Sequence, residues 1–445
     1  MLKRIFSIIF LFIIISTCMI TPVSVSAYEV TEFEITAKAG ALISLDTDEF
    51  LYENNVDSKV YPASITKIMT AIIMLESDKF DPEGKISMSK SALDLVLGTG
   101  SSVSHFVEGE EFTQFDLVNL VLISSFGDCT YLAAEYYGGS VENFVKMMND
   151  KAKELGLKNT HYSNPVGLHD DDNYTTVRDI YTLTKYALKN KIFKEVCESD
   201  RHIMSTNLTK KKTLTTTNNL QDNTTNYYYQ YAHGIKTGFT DEAGRCLVSS
   251  ATKGDSTYVC IVMGCPGNEK KHFTDSKALY QWAFNNFSFK EVADSTEPVC
   301  EIPVSLSFDT DFAPLYFKKK FVTVLPNNAD DSTIIVEPHL ISEKVEAPIK
   351  KGQVLGTADI IYAEKVIGTC ELVAGEDIDS NTLLVIFKYI KLVISSVYMK
   401  IILIILAAVI LIFIGICIKL NMSNSKKRKV KYIPYNEKAG KKREK

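Results

Sequence analysis

The chain has 445 residues, a formal net charge of −5, 46% hydrophobic and 23% charged residues. Between the two ends the balance is more acidic, net −16 over residues 28–418, which argues against a nucleic-acid partner. About 390 residues lie between the terminal segments, too many for one ordinary core, so two domains are expected.

The first 27 residues read as a secretory signal. Lys3 and Arg4 precede an apolar run over 5–15, and Val25-Ser26-Ala27 offers a small-residue cleavage site. An uncleaved anchor is the alternative, but the apolar core is short for a span. Residues 40–54 alternate like a strand pair with a turn at 46–48. Helical patterns follow over 65–76, 114–124, 130–137, 141–155 and 176–189. Strand patterns follow over 213–220, 247–251 and 258–263, then a helix over 276–284. Strands on both sides of a helix cluster predict a mixed α/β fold, a sheet with helices packed on it. Beyond residue 288, short β-rich runs over 299–306, 321–325, 333–337, 354–363 and 365–372 predict a small all-β domain that acts as a spacer.

Residues 383–399 are apolar but interrupted by Lys388 and Lys391. They read either as an amphipathic stretch in the membrane interface or as a helical stalk. Residues 401–418 are uncharged and suit a bilayer span. From 419 onward, eleven Lys and Arg face two Glu, and a basic flank stays on the cytoplasmic side. The expected organisation is therefore signal (1–27), main domain (28–290), β-rich domain (291–380), juxtamembrane segment (381–400), transmembrane helix (401–420) and basic tail (421–445).

Nine cysteines are present; with Cys18 in the signal and Cys417 in the span, seven remain, so they do not all pair among themselves. Cys300 and Cys370 share the β-rich region and are a candidate disulfide. No pair has zinc-ligand spacing, and neither a metal nor a cofactor is expected.

The chemistry rests on Ser64-Ile65-Thr66-Lys67. A lysine three residues after a serine lies on the same helix face, so its amine reaches the hydroxyl. A serine beside a deprotonated lysine is a strong oxygen nucleophile near neutral pH. Alone the pattern is weak: a helix N-terminus with an exposed lysine reads the same way. Downstream stands His233-Gly234-Ile235-Lys236-Thr237-Gly238-Phe239, a strand-edge pattern in which glycine admits a ligand backbone and lysine adds a positive field.

Together, Ser64-x-x-Lys67 and Lys236-Thr237-Gly238 resemble the penicillin-binding proteins and serine β-lactamases, most closely the low-molecular-weight D-alanyl-D-alanine carboxypeptidases. The segments 62–71, 138–144, 164–170 and 347–353 resemble further signatures of that family. The resemblance implies a β-lactamase/transpeptidase-like domain with an antiparallel sheet and a helix cluster. It also implies attack by Ser64 on the bond between two terminal D-alanines of a peptidoglycan stem peptide, with β-lactams as covalent inhibitors. Lys67 acts as base, its pKa pulled down by burial or by a second cation, Lys236 being the obvious one. Ser125 relays a proton toward the leaving amine. The backbone N–H groups of Ser64 and Phe239 form the oxyanion hole, and Lys236 and Thr237 help hold the substrate carboxylate. The lipid bilayer is the remaining expected partner.

Two departures stand out. In Ser124-Ser125-Phe126-Gly127-Asp128, Gly127 stands where the family has asparagine, so restoring Gly127→Asn is expected to raise turnover. His272 stands where many relatives carry an arginine for the terminal carboxylate; it is expected to be a weaker, pH-dependent substitute, with Lys270 or Lys271 as stand-ins. These departures motivate the alternative of a catalytically impaired relative that binds peptidoglycan or partners. A true β-lactamase is a third reading, but no extra deacylating carboxylate is evident.

Overall fold

The computed structural model describes residues 34–427. The expected signal over 1–27 and the tail beyond 427 lie outside those residues. The described chain folds as two units: 34–294 with 320–335 and 360–368, and 295–319 with 336–359 and 369–427.

The first unit begins with β1 (Ala39–Ser44), buried at every position, paired antiparallel with β2 (Phe50–Asn54). A 3₁₀ turn, Ala63–Thr66, leads into α1 (Lys67–Leu75), of which every residue but the last is buried. A helix apolar on all sides belongs in the middle of a core. β3 (Lys85–Ser87) and β4 (Glu111–Thr113) form a ribbon. The helix cluster continues with α2 (Lys90–Leu95), α3 (Gln114–Leu122), α4 (Gly127–Gly138), α5 (Val141–Glu154), α6 (Val177–Ala187) and α7 (Lys191–Glu198). Side chains set many of the starts: Thr113 and Asp116 form a capping box on α3, and Ser140, Thr176 and Asn190 cap α5, α6 and α7.

A second ribbon pairs β5 (Arg201–Met204) with β6 (Lys212–Thr215). The strand expected over 213–220 ends at Thr215. There Thr216 Oγ1 accepts from Asn218 N, and Asn218 Oδ1 accepts from Leu220 N. Such side-chain bonds compete with a ladder. Then come β7 (Ala232–Thr240), β8 (Gly244–Lys253), β9 (Ser256–Cys265) and α8 (Lys271–Asn286).

The main sheet is antiparallel with strand order β2-β1-β9-β8-β7, so β7 is an edge strand. Alternation along its strands builds two cores. Ala39, Ala41, Ile43, Ile261 and Met263 join the helix cluster around α1. Leu42, Cys260 and Val262 pack with Leu279 and Tyr280 of α8 on the opposite face. β10 (Phe287–Ala293) closes this unit by pairing with a later strand.

The β-rich region contains β11 (Pro298–Ser305), β12 (Phe312–Phe317), β13 (Phe321–Pro326, the partner of β10), β14 (Ile334–Leu340), β15 (Val345–Glu346), β16 (Val354–Tyr362) and β17 (Lys365–Ala374). Six of them form a sheet in the order β14-β16-β17-β12-β11-β15. That order corrects the expected disulfide. Cys300 on β11 and Cys370 on β17 are free thiols. β12 lies between their strands, which separates them by about 9.5 Å, beyond the Cα reach of a disulfide.

α9 (Thr382–Ser395) has no buried residue, and α10 (Val397–Lys427) follows after Ser396. Within α10, Val397–Met422 is long and apolar enough to cross a membrane, and it is unburied. It starts four residues before the expected span.

Candidate active site

Ser64 and Lys67 meet as expected, but through a tighter turn. Ser64 lies in the 3₁₀ turn, and Lys67 opens α1. In a 3₁₀ turn residues i and i+3 eclipse, which brings Lys67 Nζ to 2.8 Å from Ser64 Oγ. Ala63, just before Ser64, has φ 46°, a left-handed conformation that costs a non-glycine residue energy. Ser125 has φ 62°.

Lys67 is 1% exposed. Burial pulls its amine down to about 7, while the charge of Asp128 opposes the fall. Asp128 is itself buried and accepts from Ser104 N at 2.8 Å, Ser104 Oγ at 2.6 Å and Cys129 N at 2.8 Å. The expected role of Lys236 in depressing Lys67 gives way to burial as the main cause. The repulsion acts on Lys236 instead: burial first, then Lys67, hold its amine well below the ordinary lysine value.

The segment 164–170 has a clear local cause and a clear effect. Asn164 Oδ1 accepts from Gly167 N at 2.8 Å and Leu168 N at 3.0 Å, and its Nδ2 donates to Leu168 O. Pro165 O accepts from Thr70 Oγ1 of α1 at 2.7 Å. The tight turn thereby delivers the carbonyl of Val166 to Lys67 Nζ, which donates to it at 2.8 Å.

β7 runs against the serine. A Cβ added at Gly238 would lie 3.0 Å from Ser64 N, so only glycine lets the strand approach this closely. Lys236 is buried and donates to Thr237 O at 3.0 Å. Thr237 Oγ1 lies 2.6 Å from Thr217 Oγ1. Phe239 is 48% exposed. A cleft of about 280 Å³ brings Ser64, Ser125, Thr237, Gly238, Phe239 and His272 to one surface. An adjoining cavity of about 670 Å³ shares Ser64 and is lined further by Val166, His169, Asp241 and Glu242.

Two expectations change. His272 is 4% exposed; burial, then Arg245 and Lys270, push its ring down to about 3. It is therefore neutral near pH 7 and is no titrating anchor for a carboxylate. At Gly127, an added Cβ would lie 2.2 Å from Ser101 Oγ. The loop before α3 fills the space an asparagine would need, and Gly127 N donates to Ser102 O. Gly127→Asn therefore carries a packing cost: the Ser101 hydroxyl must rotate away, and Ser101 Cβ at 3.0 Å and Val96 Cγ1 at 3.2 Å stay tight against the new side chain. Sequence reasoning quoted Asp128 and Val166 inside motifs without giving them a role, and passed over Ser101 and Arg245. Only Arg245 carried a usable signal: a hairpin through Thr240 and Gly244 sets Arg245 directly opposite Phe239.

A family described as D-alanyl-D-alanine carboxypeptidase matches residues 25–267, more than half of the chain. This chain belongs to the D-alanyl-D-alanine carboxypeptidase family. A second match, to the C-terminal domain of penicillin-binding protein 5, covers residues 298–380. D-alanyl-D-alanine carboxypeptidase DacF of Bacillus subtilis is 30% identical over 352 residues, which cover 77% of this chain and 85% of that protein. DacC of Escherichia coli is 30% identical over 377 residues, covering 78% and 85%. Among solved structures, penicillin binding protein 5 of Haemophilus influenzae matches with TM-score 0.63 and 27% identity over 78% of this chain and 98% of that one. The Streptomyces K15 DD-transpeptidase matches with TM-score 0.53 and 28% identity over 57% of this chain and 98% of that one. The carboxypeptidase family accounts for the mixed α/β first unit and the β-rich second one. Nothing in these similarities supports the inactive, binding-only alternative.

Proposed function

We propose that this chain is a serine D-Ala-D-Ala carboxypeptidase that removes the terminal D-alanine from peptidoglycan stem peptides. One observation carries the proposal: a buried amine held near pKa 7 lies 2.8 Å from Ser64 Oγ, at a cleft walled by Lys236-Thr237-Gly238. Catalytic roles go to Ser64, Lys67 and Ser125. Substrate-binding roles go to Lys236, Thr237, Gly238 and Phe239, with His272 as a neutral wall.

In acylation, Ser64 Oγ attacks the penultimate carbonyl carbon as its proton passes to neutral Lys67. The backbone N–H groups of Ser64 and Phe239 hold the developing oxyanion; one such donor is worth about 10²–10³ in rate. The proton then reaches the leaving amine through the Ser125 hydroxyl, and D-alanine departs. Water attacks the ester carbonyl and gives a proton to Lys67, which returns it to Ser64 Oγ as the acyl–oxygen bond breaks, freeing Ser64 and the shortened peptide acid. A β-lactam acylates the same oxygen. The proposed division is a catalytic domain over 28–290, a β-rich spacer over 291–380, a juxtamembrane segment over 381–400, a span over 401–420 and a tail over 421–445. The apolar helix and the basic residues after it favour a single-pass anchor, with the catalytic domain outside and the tail in the cytoplasm.

The test is release of free D-alanine from a pentapeptide ending in D-Ala-D-Ala, together with labelling by a fluorescent penicillin. Both signals should be present in the unaltered chain and absent in Ser64→Ala. Labelling that persists in Ser64→Ala, or no D-alanine from the unaltered chain, refutes the proposal.

A further inference from the structure

The geometry points to Arg245 as the group that binds the free C-terminal carboxylate of the peptide in the Ser64 cleft. This inference rests on the carboxypeptidase reading of that cleft. An enzyme that acts only on the last residue must recognise a carboxylate, and the recognising group must be a cation not already neutralised by another partner.

The cleft has that character. Ser64, Ser125, Thr217, Asn219 and Thr237 contribute hydroxyls and an amide, Arg245 and Lys270 contribute charge, and no Asp or Glu lines it. Of the nearby cations, Lys236 is fully buried, faces Lys67 electrostatically and donates to its own strand. Lys270 is exposed, with Nζ 5.9 Å from the Tyr227 ring centre. His272 is buried, and its Nδ1 has no hydrogen-bond partner.

Arg245 differs from all three. It is half-buried, and among the described residues no carboxylate pairs with it. Its Nε is buried behind the cleft surface and has no acceptor, while the half-buried side chain lines the cleft. A guanidinium with no carboxylate partner keeps its charge available to an anion that enters the cleft. The Phe239 ring, 4.8 Å from the guanidinium carbon, holds that planar group in place. A guanidinium suits a carboxylate because its fork gives two parallel hydrogen bonds.

The reach of the Arg245 side chain sets the geometry of the assignment. Phe239 and Arg245 are direct partners across β7 and β8. Adjacent strands are about 4.8 Å apart, and one residue of extended peptide spans about 3.5 Å. A peptide whose scissile carbonyl sits at the Phe239 N–H lies along the free edge of β7, about two strand spacings from the β8 backbone, so the long Arg245 side chain meets its carboxylate by reaching across Phe239 into the cleft both residues line. The arginine expected at position 272 is absent, and the positive charge enters the cleft from β8 instead.

The test uses the full chain in detergent micelles and two pentapeptides, one ending in D-Ala-D-Ala and one with its C-terminus amidated. The unaltered chain should prefer the free acid. Arg245→Gln should lower kcat/KM for the acid by on the order of 10- to 100-fold and leave the amide nearly unchanged, so the preference collapses. Arg245→Lys should keep part of the preference, and Lys270→Gln should keep nearly all of it. Equal losses on acid and amide would mean a structural role and overturn the inference, as would a preference that survives Arg245→Gln or collapses in Lys270→Gln. Should Arg245→Gln fail to fold, Arg245→Lys decides: a preference identical to the unaltered chain's overturns the fork-specific role. D-alanine release by the unaltered chain separates the two levels. With release and a surviving preference, only the Arg245 assignment falls; with no release, the carboxypeptidase reading falls and takes this inference with it.

Discussion

The carbonyl oxygen of Val166 accepts a hydrogen bond from Lys67 Nζ at 2.8 Å. A neutral amine has two N–H donors and one lone pair. Val166 occupies a donor, so the lone pair is free to take the proton of Ser64, whose oxygen lies 2.8 Å away. The turn built by Asn164 thus orients the base, although no residue of that turn takes part in bond-making.

Acylation should follow the neutral form of Lys67. Its amine titrates at about 7, so the rate rises as pH increases through that value and flattens above it. Stopped-flow acylation by a fluorescent penicillin between pH 5 and 9 measures the limb. A flat profile across pH 6–8 would contradict Lys67 as the base.

Asp128 favours the charged form of Lys67. Asp128→Asn removes that charge while retaining an oxygen that accepts from Ser104. The acylation limb should therefore move below its original midpoint, toward lower pH. A shift to higher pH would mean that Asp128 acts on some other group.

The same burial opposes folding. Lys67 drops from 10.5 to about 7, a difference of about 5 kcal/mol between its two protonation states. Below pH 7 the amine is charged both folded and unfolded, and the folded protein carries the full penalty. As pH rises from 7 toward 10.5, the unfolded chain holds more protons than the folded one, so this contribution to stability increases. Lys67→Met removes the titration. Its thermal midpoint relative to the unaltered chain should be most favourable near pH 6 and decline steadily toward pH 10.

Gly127→Asn should lower the thermal midpoint and fail to raise turnover, because its Cβ meets Ser101 Oγ. Overpacking of this kind costs about 1–3 kcal/mol. Adding Ser101→Gly should recover much of the loss. A double-mutant cycle in thermal unfolding measures the coupling, and strict additivity would show that the two side chains do not compete for the same space.

Much of the fold was legible because its signals are local. The polar start and apolar run of α1, the caps of α5 and α6, and the uncharged stretch within α10 all depend on a few consecutive residues. The short helices α2 and α7 were missed because six to eight residues carry too little periodicity. β12 was missed as well, and with it the barrier between Cys300 and Cys370.

At the site, sequence alone determined the pairing of Ser64 with Lys67, because three residues of one helical turn fix their distance. It also determined the glycine at 238, where a strand must lie against the serine backbone. Tertiary structure decided the rest. The pKa of Lys67 depends on burial among distant segments, the neutrality of His272 on its burial and then on Arg245 and Lys270 around it, and the fit at Gly127 on a loop some 26 residues earlier in the chain. Solvation and steric exclusion are set by what surrounds an atom in space, and chain neighbours supply only part of that surrounding.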